Sequence, residues 1–173
     1  YNWSREQLLF LMSHDPDGFN RWDAGQRLAV DVIQSLVNAP DDAEIDPRLV
    51  EAYRKLISDA DLDQALVAKM LQLPSEAYLI ELTDKADVPA IHRAREAVLR
   101  HLAGALKGEL LGCYQRHQGS GPYEVTPEAI ARRSLRNTAL AWLLMIDDEE
   151  GRSLAVSQLN AADNMTDRMG ALR

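Results

Sequence analysis

The chain has 173 residues, of which 46% are apolar and 27% charged, and its formal net charge is −8. This composition excludes a disordered or fibrous protein, and the length is sufficient for one domain with its own hydrophobic core. The excess of acidic residues argues against a nucleic-acid-binding surface, which requires clustered lysine and arginine. No stretch approaches the roughly 20 apolar residues that span a bilayer. Because Cys113 is the only cysteine, no internal disulfide can form, and we expect a soluble protein of a reducing compartment such as the cytoplasm.

The first half of the chain predicts five helices from apolar residues at helical spacing and from capping residues. Ser4, followed three residues later by Gln7, is a capping-box pattern that starts the first helix. Asp46 and Ser75 are the predicted caps of the third and fifth helices. The second to fifth helices are predicted at residues 20–38, 47–57, 62–72 and 76–82. Residues 40–44 are predicted to form a loop.

The longest predicted helix covers residues 89–117 and contains three regularly spaced glycines. Gly104, Gly108 and Gly112 recur at four-residue intervals on one side of this helix. Each glycine costs about 1 kcal/mol relative to alanine in a helix interior. The spacing therefore predicts either a close crossing with another helix or a bend at this point.

Three further helices complete the predicted fold. Thr126 caps a helix over residues 126–146, another helix covers residues 152–162, and Asn164 caps a last one. No segment alternates apolar and polar residues with the period of two that is typical of strands. The sequence thus predicts an all-α protein with about nine helices. The short, similar helices favour stacked antiparallel pairs, an α-α superhelix of the armadillo or HEAT type, with residues 1–173 forming a single helical domain.

The residues give little evidence for a catalytic or metal centre. None of the four histidines belongs to an H-E-x-x-H motif, and no glycine-rich phosphate loop is present. His92 and Glu96 lie four residues apart on one predicted helix face, which favours a surface ion pair over a metal site with an unidentified third ligand. The acidic run at residues 147–150 is interpreted as a helix cap. We therefore assign no catalytic, cofactor-binding or metal-binding residue to this chain.

A basic cluster stands out in this acidic sequence. Arg132, Arg133 and Arg136 lie close together in one predicted helix, next to Asn137. The favoured interpretation is that these arginines pair with neighbouring carboxylates, and the alternative is that they face an anionic ligand or partner.

Four runs of the sequence occur in a consistent order: residues 19–28 (FNRWDAGQRL), 90–97 (AIHRAREA), 133–137 (RSLRN) and 162–167 (ADNMTD). Together they resemble the C-terminal helical region of the bacterial aminopeptidase N (alanyl aminopeptidase) family of zinc metallopeptidases. The resemblance extends over nearly the whole chain and corresponds to the first half or so of that helical region. It implies an α-superhelix that closes over a catalytic cleft, forms an internal chamber and restricts entry to small peptides.

The resemblance also implies where the chemistry of the parent enzyme resides. An upstream domain would hold zinc through an H-E-x-x-H helix and a distant glutamate, and would recognise the free α-amine through a Gly-x-Met-Glu-Asn loop. Neither motif occurs here. Substrate contacts of the helical region are expected beyond Arg173, so none is assigned to this chain.

We therefore expect the chain to be part of a longer polypeptide. It begins at Tyr1 without an initiator methionine and stops soon after the predicted cap at Asn164. Its expected partners are the catalytic and other domains of the same polypeptide, with peptides as substrates of the parent and with no nucleic acid or membrane. The alternative is a free-standing helical-repeat module that binds an extended peptide along a concave face.

Overall fold

A computed structural model describes residues 3–39, 44–119 and 121–172, and within these ranges it contains ten α-helices and no strand. The all-α prediction is confirmed. Of the loop predicted at residues 40–44, only Glu44 lies within the described residues. The helices are α1 Arg5–His14, α2 Gly18–Asn38, α3 Pro47–Ser58, α4 Gln64–Met70, α5 Glu76–Glu81, α6 Val88–Ala105, α7 Lys107–Arg116, α8 Pro127–Leu144, α9 Glu149–Ala161 and α10 Met165–Ala171.

Side-chain caps determine where most of these helices begin. The capping box of α1 is present, since the Ser4 hydroxyl accepts from the backbone N–H of Gln7 while the Gln7 side chain accepts from the backbone N–H of Ser4. The hydroxyl of Thr126 accepts from the backbone of Ala129 at the start of α8. The predicted caps of α3, α5 and α10 are confirmed in the same way. Each cap satisfies a backbone donor that the first helical turn leaves without a partner.

Two helices begin two or more residues earlier than predicted, and in both cases an aspartate is the reason. The carboxylate of Asp17 accepts from the backbone of the first turn of α2, which therefore begins at Gly18 rather than at residue 20. The carboxylate of Asp148 accepts from the backbone N–H of Gly151, so α9 begins at Glu149 rather than at residue 152. The interpretation of the acidic run as a cap is confirmed for Asp148.

The long helix predicted over residues 89–117 is wrong, because the helix is interrupted at Leu106. The backbone of Leu106 leaves helical geometry, with φ −112° and ψ 14°, and its side chain is completely buried between α6 and α7. Gly104 and Gly108 flank this interruption on either side. A Cβ atom added to either glycine would meet no atom within 4 Å, which rules out a close helix crossing at these two positions. Gly104 and Gly108 therefore accompany a bend, and the interruption raises the number of helices from nine to ten. A Cβ atom at Gly112 would lie 3.0 Å from the side chain of Arg116 in the same helix, so no other helix of the described residues crosses closely there either.

The buried apolar side chains form one continuous cluster, and α8 lies in the middle of it. This helix packs against α4, α6, α7, α9 and α10. The indole N–H of Trp142 donates to the backbone carbonyl of Leu71 at 3.1 Å, and the ring of Tyr53 lies 5.6 Å from the Trp142 ring. Because the carbonyl of Leu71 is at the end of α4, this hydrogen bond fixes α4 against α8 inside the core. No helix of the described residues is long and apolar enough to cross a lipid bilayer.

The bend at Leu106 leads to a prediction about its neighbouring glycines. Replacement of Gly104 by alanine should raise the free energy of unfolding by about 0.5 kcal/mol, because alanine favours the helix and the added methyl group meets open space. Thermal unfolding followed by circular dichroism at 222 nm measures the effect.

The matched control is Gly151→Ala, in another helix, where the added Cβ would lie 3.0 Å from the backbone oxygen of Leu143. This control should be destabilised. If Gly104→Ala were destabilised to the same extent, a helix crossing at Gly104 would have to be accepted after all.

Candidate functional site

One surface depression lies between α2, the end of α4 and α5, with a volume of about 650 Å³. Its charged side chains are largely neutralised in pairs. Arg27 pairs with Asp23 at 2.8 Å, and Asp31 pairs with Arg5 of α1. The side-chain amide of Gln26 donates to the backbone of the segment that follows α4. The charged side chains of this depression are therefore largely held in ion pairs, and they do not form a candidate catalytic site.

A second depression contains the basic cluster that the sequence singled out. We call it the arginine pocket, and its volume is about 270 Å³. It lies between α7, the loop that follows α7, the first half of α8, α9 and the start of α10. The side chains that define it here are Tyr114, Tyr123, Arg132, Arg133, Arg136, Gln158, Asp163, Asn164 and Asp167.

A buried polar network closes one side of the arginine pocket. The carboxylate of Asp167, which is only 5% exposed, accepts from Arg136 at 2.6 Å, from Asn164 at 2.8 Å and from the side chain of Asn137 at 3.1 Å. The side-chain amide of Gln158 donates to Asn137 at 2.7 Å and to the backbone carbonyl of Asp167 at 2.9 Å. This network joins α8, α9 and α10 through side chains that have little access to water.

The charge of Asp167 depends on that network. Burial raises the pKa of Asp167, but the hydrogen bonds from Arg136 and Asn164, together with the positive charge of Arg136, lower it by more. The pKa of this carboxyl group therefore lies below its ordinary value, and the group is ionised at neutral pH. A buried carboxylate with this set of donors is a structural ion-pair centre.

The favoured interpretation of the basic cluster is confirmed for Arg136 and wrong for its two neighbours. Arg136 pairs with Asp167 as expected. Arg132 and Arg133 form no ion pair with a carboxylate of the described residues. The guanidinium of Arg133 lies over the ring of Tyr123, 4.6 Å from its centroid. The physical reason is that Asp167, the carboxylate of α10 that lines the same pocket, is already engaged by Arg136 and by two asparagine side chains.

Besides Asp167, the network has two further members that the sequence did not reveal. Gln158 lies 21 residues after Asn137, and its role depends on how α9 packs against α8. Gly170 of α10 allows close contact, because a Cβ atom at this position would lie 2.6 Å from the side chain of Asn137. The small residue in α10 was the available signal, but a glycine near a helix end has several common explanations.

His92 pairs with carboxylates. Its Nδ1 lies 2.8 Å from Glu76 in α5, and its Nε2 lies 3.9 Å from Glu96. The hydrogen bond to Glu76 is the main cause that raises the pKa of His92. Among the described residues, no group of three or more histidine, cysteine or acidic side chains is placed to hold a metal ion. The surface-pair interpretation of His92 and Glu96 therefore gains a second acidic partner, Glu76, 16 residues earlier in the sequence.

Cys113 has a histidine neighbour, although its environment does not suit a nucleophile. The Sγ atom lies 3.7 Å from Nδ1 of His117, and the same Nδ1 lies 2.7 Å from the backbone oxygen of Cys113. Burial raises the pKa of the Cys113 thiol to about 11. The thiol is therefore protonated at neutral pH, whereas a nucleophilic cysteine requires the thiolate.

The comparisons with known proteins agree with the helical architecture. A sequence model of one family, described as a domain of unknown function (DUF3458_C) with ARM repeats, matches residues 5–173. The chain belongs to this family. The match confirms the helical-repeat fold that the spacing of apolar residues predicted.

Bacterial aminopeptidases are the relatives of this ARM-repeat chain. It is 38% identical to aminopeptidase N of Escherichia coli K12 over 175 residues, which covers 99% of this chain and 20% of that protein. It is 33% identical over 162 residues to aminopeptidase N of Caulobacter vibrioides, covering 94% of this chain and 19% of that protein. The resemblance noted in the sequence is confirmed, and the chain spans about a fifth of the length of these relatives.

A solved structure gives the same result. The crystal structure of Legionella pneumophila aminopeptidase A in complex with aspartic acid superposes with a TM-score of 0.86 and 28% sequence identity. The superposition covers 99% of this chain and 21% of that one. The ARM-repeat chain is thus similar in fold to one part of a much larger peptidase.

The buried network predicts how the stability of this ARM-repeat chain depends on pH. Because Asp167 has a lowered pKa in the folded state, its contribution to stability is present above the unfolded pKa of about 3.9 and is lost as the pH falls through the folded pKa. Replacement of Asp167 by asparagine should lower the free energy of unfolding by about 2 kcal/mol at pH 7. The difference from the wild type should shrink at pH 3, as urea unfolding at the two pH values would show.

Asp163→Asn is the matched control for removal of one charge at the same end of the molecule. Asp163 is exposed, and within the described ranges it accepts only from the side chain of Asn164. A pH-independent loss in Asp167→Asn, or an equal loss in Asp163→Asn, would contradict the assignment of Asp167 as the charged centre of the network.

Proposed function

We propose that the chain is a C-terminal helical domain of a zinc aminopeptidase, an enzyme that removes N-terminal amino acids from peptides. In this proposal the domain itself is not catalytic. It closes over the active-site cleft, helps to enclose a chamber and restricts the entry of substrates. One observation carries the proposal: nearly the whole chain matches aminopeptidase N sequences, yet it accounts for only about a fifth of their length.

The chemistry of the described side chains supports a scaffolding role. Asp148 caps α9 and pairs with Lys107 at 2.6 Å, Asp167 is enclosed by donors, and Cys113 is a protonated thiol. Reactive residue types are thus engaged in holding helices together. A cap over a catalytic cleft requires rigidity and a surface for docking, and it requires no titrating centre of its own.

Exposed apolar side chains support contact with further parts of a polypeptide. Large hydrophobic residues reach the surface at several places, with exposures between 64% and 70%. Where such residues adjoin one another in a patch, they mark a surface that other domains or helices cover. The most exposed of them are Phe10, Phe19, Val125, Met165 and Leu172.

Several properties of the parent belong to the same proposal. Its zinc would be held by an upstream domain, its partners would be the other domains of the same polypeptide, and peptides would be its substrates. We further propose a cytoplasmic location, for which the support is that Cys113 is buried and free. The alternative, a free-standing helical-repeat module, is disfavoured by the aminopeptidase relatives.

The proposal that zinc binding and catalysis reside outside this chain can be tested directly. The purified 173-residue chain should bind no stoichiometric zinc and should not hydrolyse an alanyl chromogenic amide. The natural protein that contains the chain should contain zinc and hydrolyse the same amide, and a chelator should abolish this activity. Metal analysis and initial rates provide the readouts. Zinc-dependent turnover by the isolated chain, or a metal-free natural protein, would reject the proposal.

If the domain restricts the entry of substrates to the chamber, the natural protein should have a size limit for its substrates. The natural protein should release alanine from alanyl peptides of a few residues, and kcat/KM should fall by at least about tenfold for a folded protein that begins with the same residues. A chamber produces this difference because a folded N-terminus cannot enter it. The matched control is the same protein substrate after unfolding and fragmentation by a protease. Equal kcat/KM for the folded protein and the short peptide would disprove restriction by a chamber.

A further inference from the structure

Arg133 is a buried cation without a counter-charge among the described residues. It is 7% exposed, and the ring of Tyr123 is its close polar contact. Its Nε atom is buried and has no hydrogen-bond acceptor in the described part of the chain. Burying a guanidinium without a carboxylate costs several kcal/mol. The contact with the Tyr123 ring offsets part of this burial cost, since a cation–π contact contributes about 0.5–2 kcal/mol.

The two other arginines of the pocket, Arg132 and Arg136, also have a buried Nε atom without a hydrogen-bond acceptor in the described ranges. All three residues lie on neighbouring positions of α8 and line the same depression. Because these Nε atoms are enclosed by protein, a ligand in the depression would meet the terminal N–H groups of the guanidinium groups instead. For Arg132 and Arg133, no hydrogen bond or ion pair with the described residues engages those terminal groups, so they are available to an acceptor from another molecule.

The carboxylates that face the pocket do not satisfy these donors. Asp167 is engaged by Arg136, Asn137 and Asn164. Asp163 is exposed, accepts from Asn164 and lies within ion-pair distance of no arginine of the described residues. The lining of the pocket therefore carries three positive and two negative side chains, a net charge of +1, and Arg132 and Arg133 have no carboxylate partner among the described residues. Such a site attracts an anion in a chain whose net charge is −8.

We propose that the arginine pocket binds a small oxyanion, either a phosphate group or a carboxylate, through Arg132 and Arg133. Guanidinium groups recognise both kinds of oxyanion through paired N–H donors. The volume of about 270 Å³ lies just below the range typical of drug-sized ligands, which suits a small anion rather than a peptide. Arg136, fixed by Asp167, would provide a preorganised wall with one further donor. This site is independent of the proposed peptidase role, because it lies within the described residues and its test needs only this chain.

The experiment titrates the 173-residue chain, labelled with ¹⁵N, separately with sodium phosphate and with sodium acetate. Sodium chloride keeps the ionic strength constant, and the pH is 7. The arginine Nε–H resonances report changes in the environment of each guanidinium group. We expect saturable shifts for Arg132 and Arg133 with at least one of the two anions. Saturation by phosphate alone identifies a phosphate ligand, saturation by acetate alone identifies a carboxylate ligand, and both results support the site.

The variants Arg132→Gln and Arg133→Gln should each raise the dissociation constant of the saturating anion at least about tenfold, because each removes charge-assisted hydrogen bonds. Arg132 makes no hydrogen bond or ion pair with the described residues, so its variant should retain the wild-type fold. The Arg132→Gln variant therefore keeps the test decisive if Arg133→Gln does not fold. The matched control is Arg152→Gln, an exposed arginine of α9 that pairs with Asp147 at 2.7 Å outside the pocket. Its affinity for the anion should be unchanged.

Three results would overturn the proposal. One is the absence of any shift with either anion. Another is a shift that grows linearly with concentration and affects all arginines alike, which indicates general screening. The third is saturable binding that Arg132→Gln retains at full strength.

Discussion

The placement of α8 between two groups of helices is the constraint on which the rest of the structure depends. One of its faces belongs to the core, where Trp142 donates to the end of α4. Another face meets α9 and α10 through Arg136 and its partners. A charge on an enclosed face of α8 has little access to water, so it needs a partner there, as Arg136 has in Asp167. The buried network is therefore a consequence of the topology as much as a source of stability.

Most helix boundaries could be predicted from the sequence because capping is local. Ser4 with Gln7, and Asn164, act on residues within three positions, and the sequence contains all the information needed. The interruption at Leu106 could not be predicted from periodicity, since apolar residues keep their helical spacing on both sides of it. The glycines predicted either a crossing or a bend. The choice between these depends on which helix lies opposite Gly104, which only the packing decides.

The candidate site was only partly predictable, for a related reason. Three arginines within five positions of an acidic chain are conspicuous in the sequence. Their acceptors are not, because Asp167 lies 30 residues after Asn137 and reaches it only when α10 folds back against α8. Among several acidic residues at similar distances in sequence, nothing local distinguishes Asp167 from Asp163. The pairing of His92 with Glu76 was missed for the same reason.

The asymmetry within the basic cluster distinguishes structure from function. A purely structural cluster would satisfy its own members, as Arg136 and Asp167 do with the help of Asn137 and Asn164. If position 133 served stability alone, an apolar residue would suit it equally well. A well-packed hydrophobic side chain usually stabilises a buried position at least as much as an ion does. A guanidinium that lines a cavity, is only 7% exposed and has no carboxylate partner among the described residues is understandable when its acceptor comes from another molecule. On this physical ground, the pocket beside Arg133 belongs to the chemistry of the protein, whereas the network beside it belongs to the architecture.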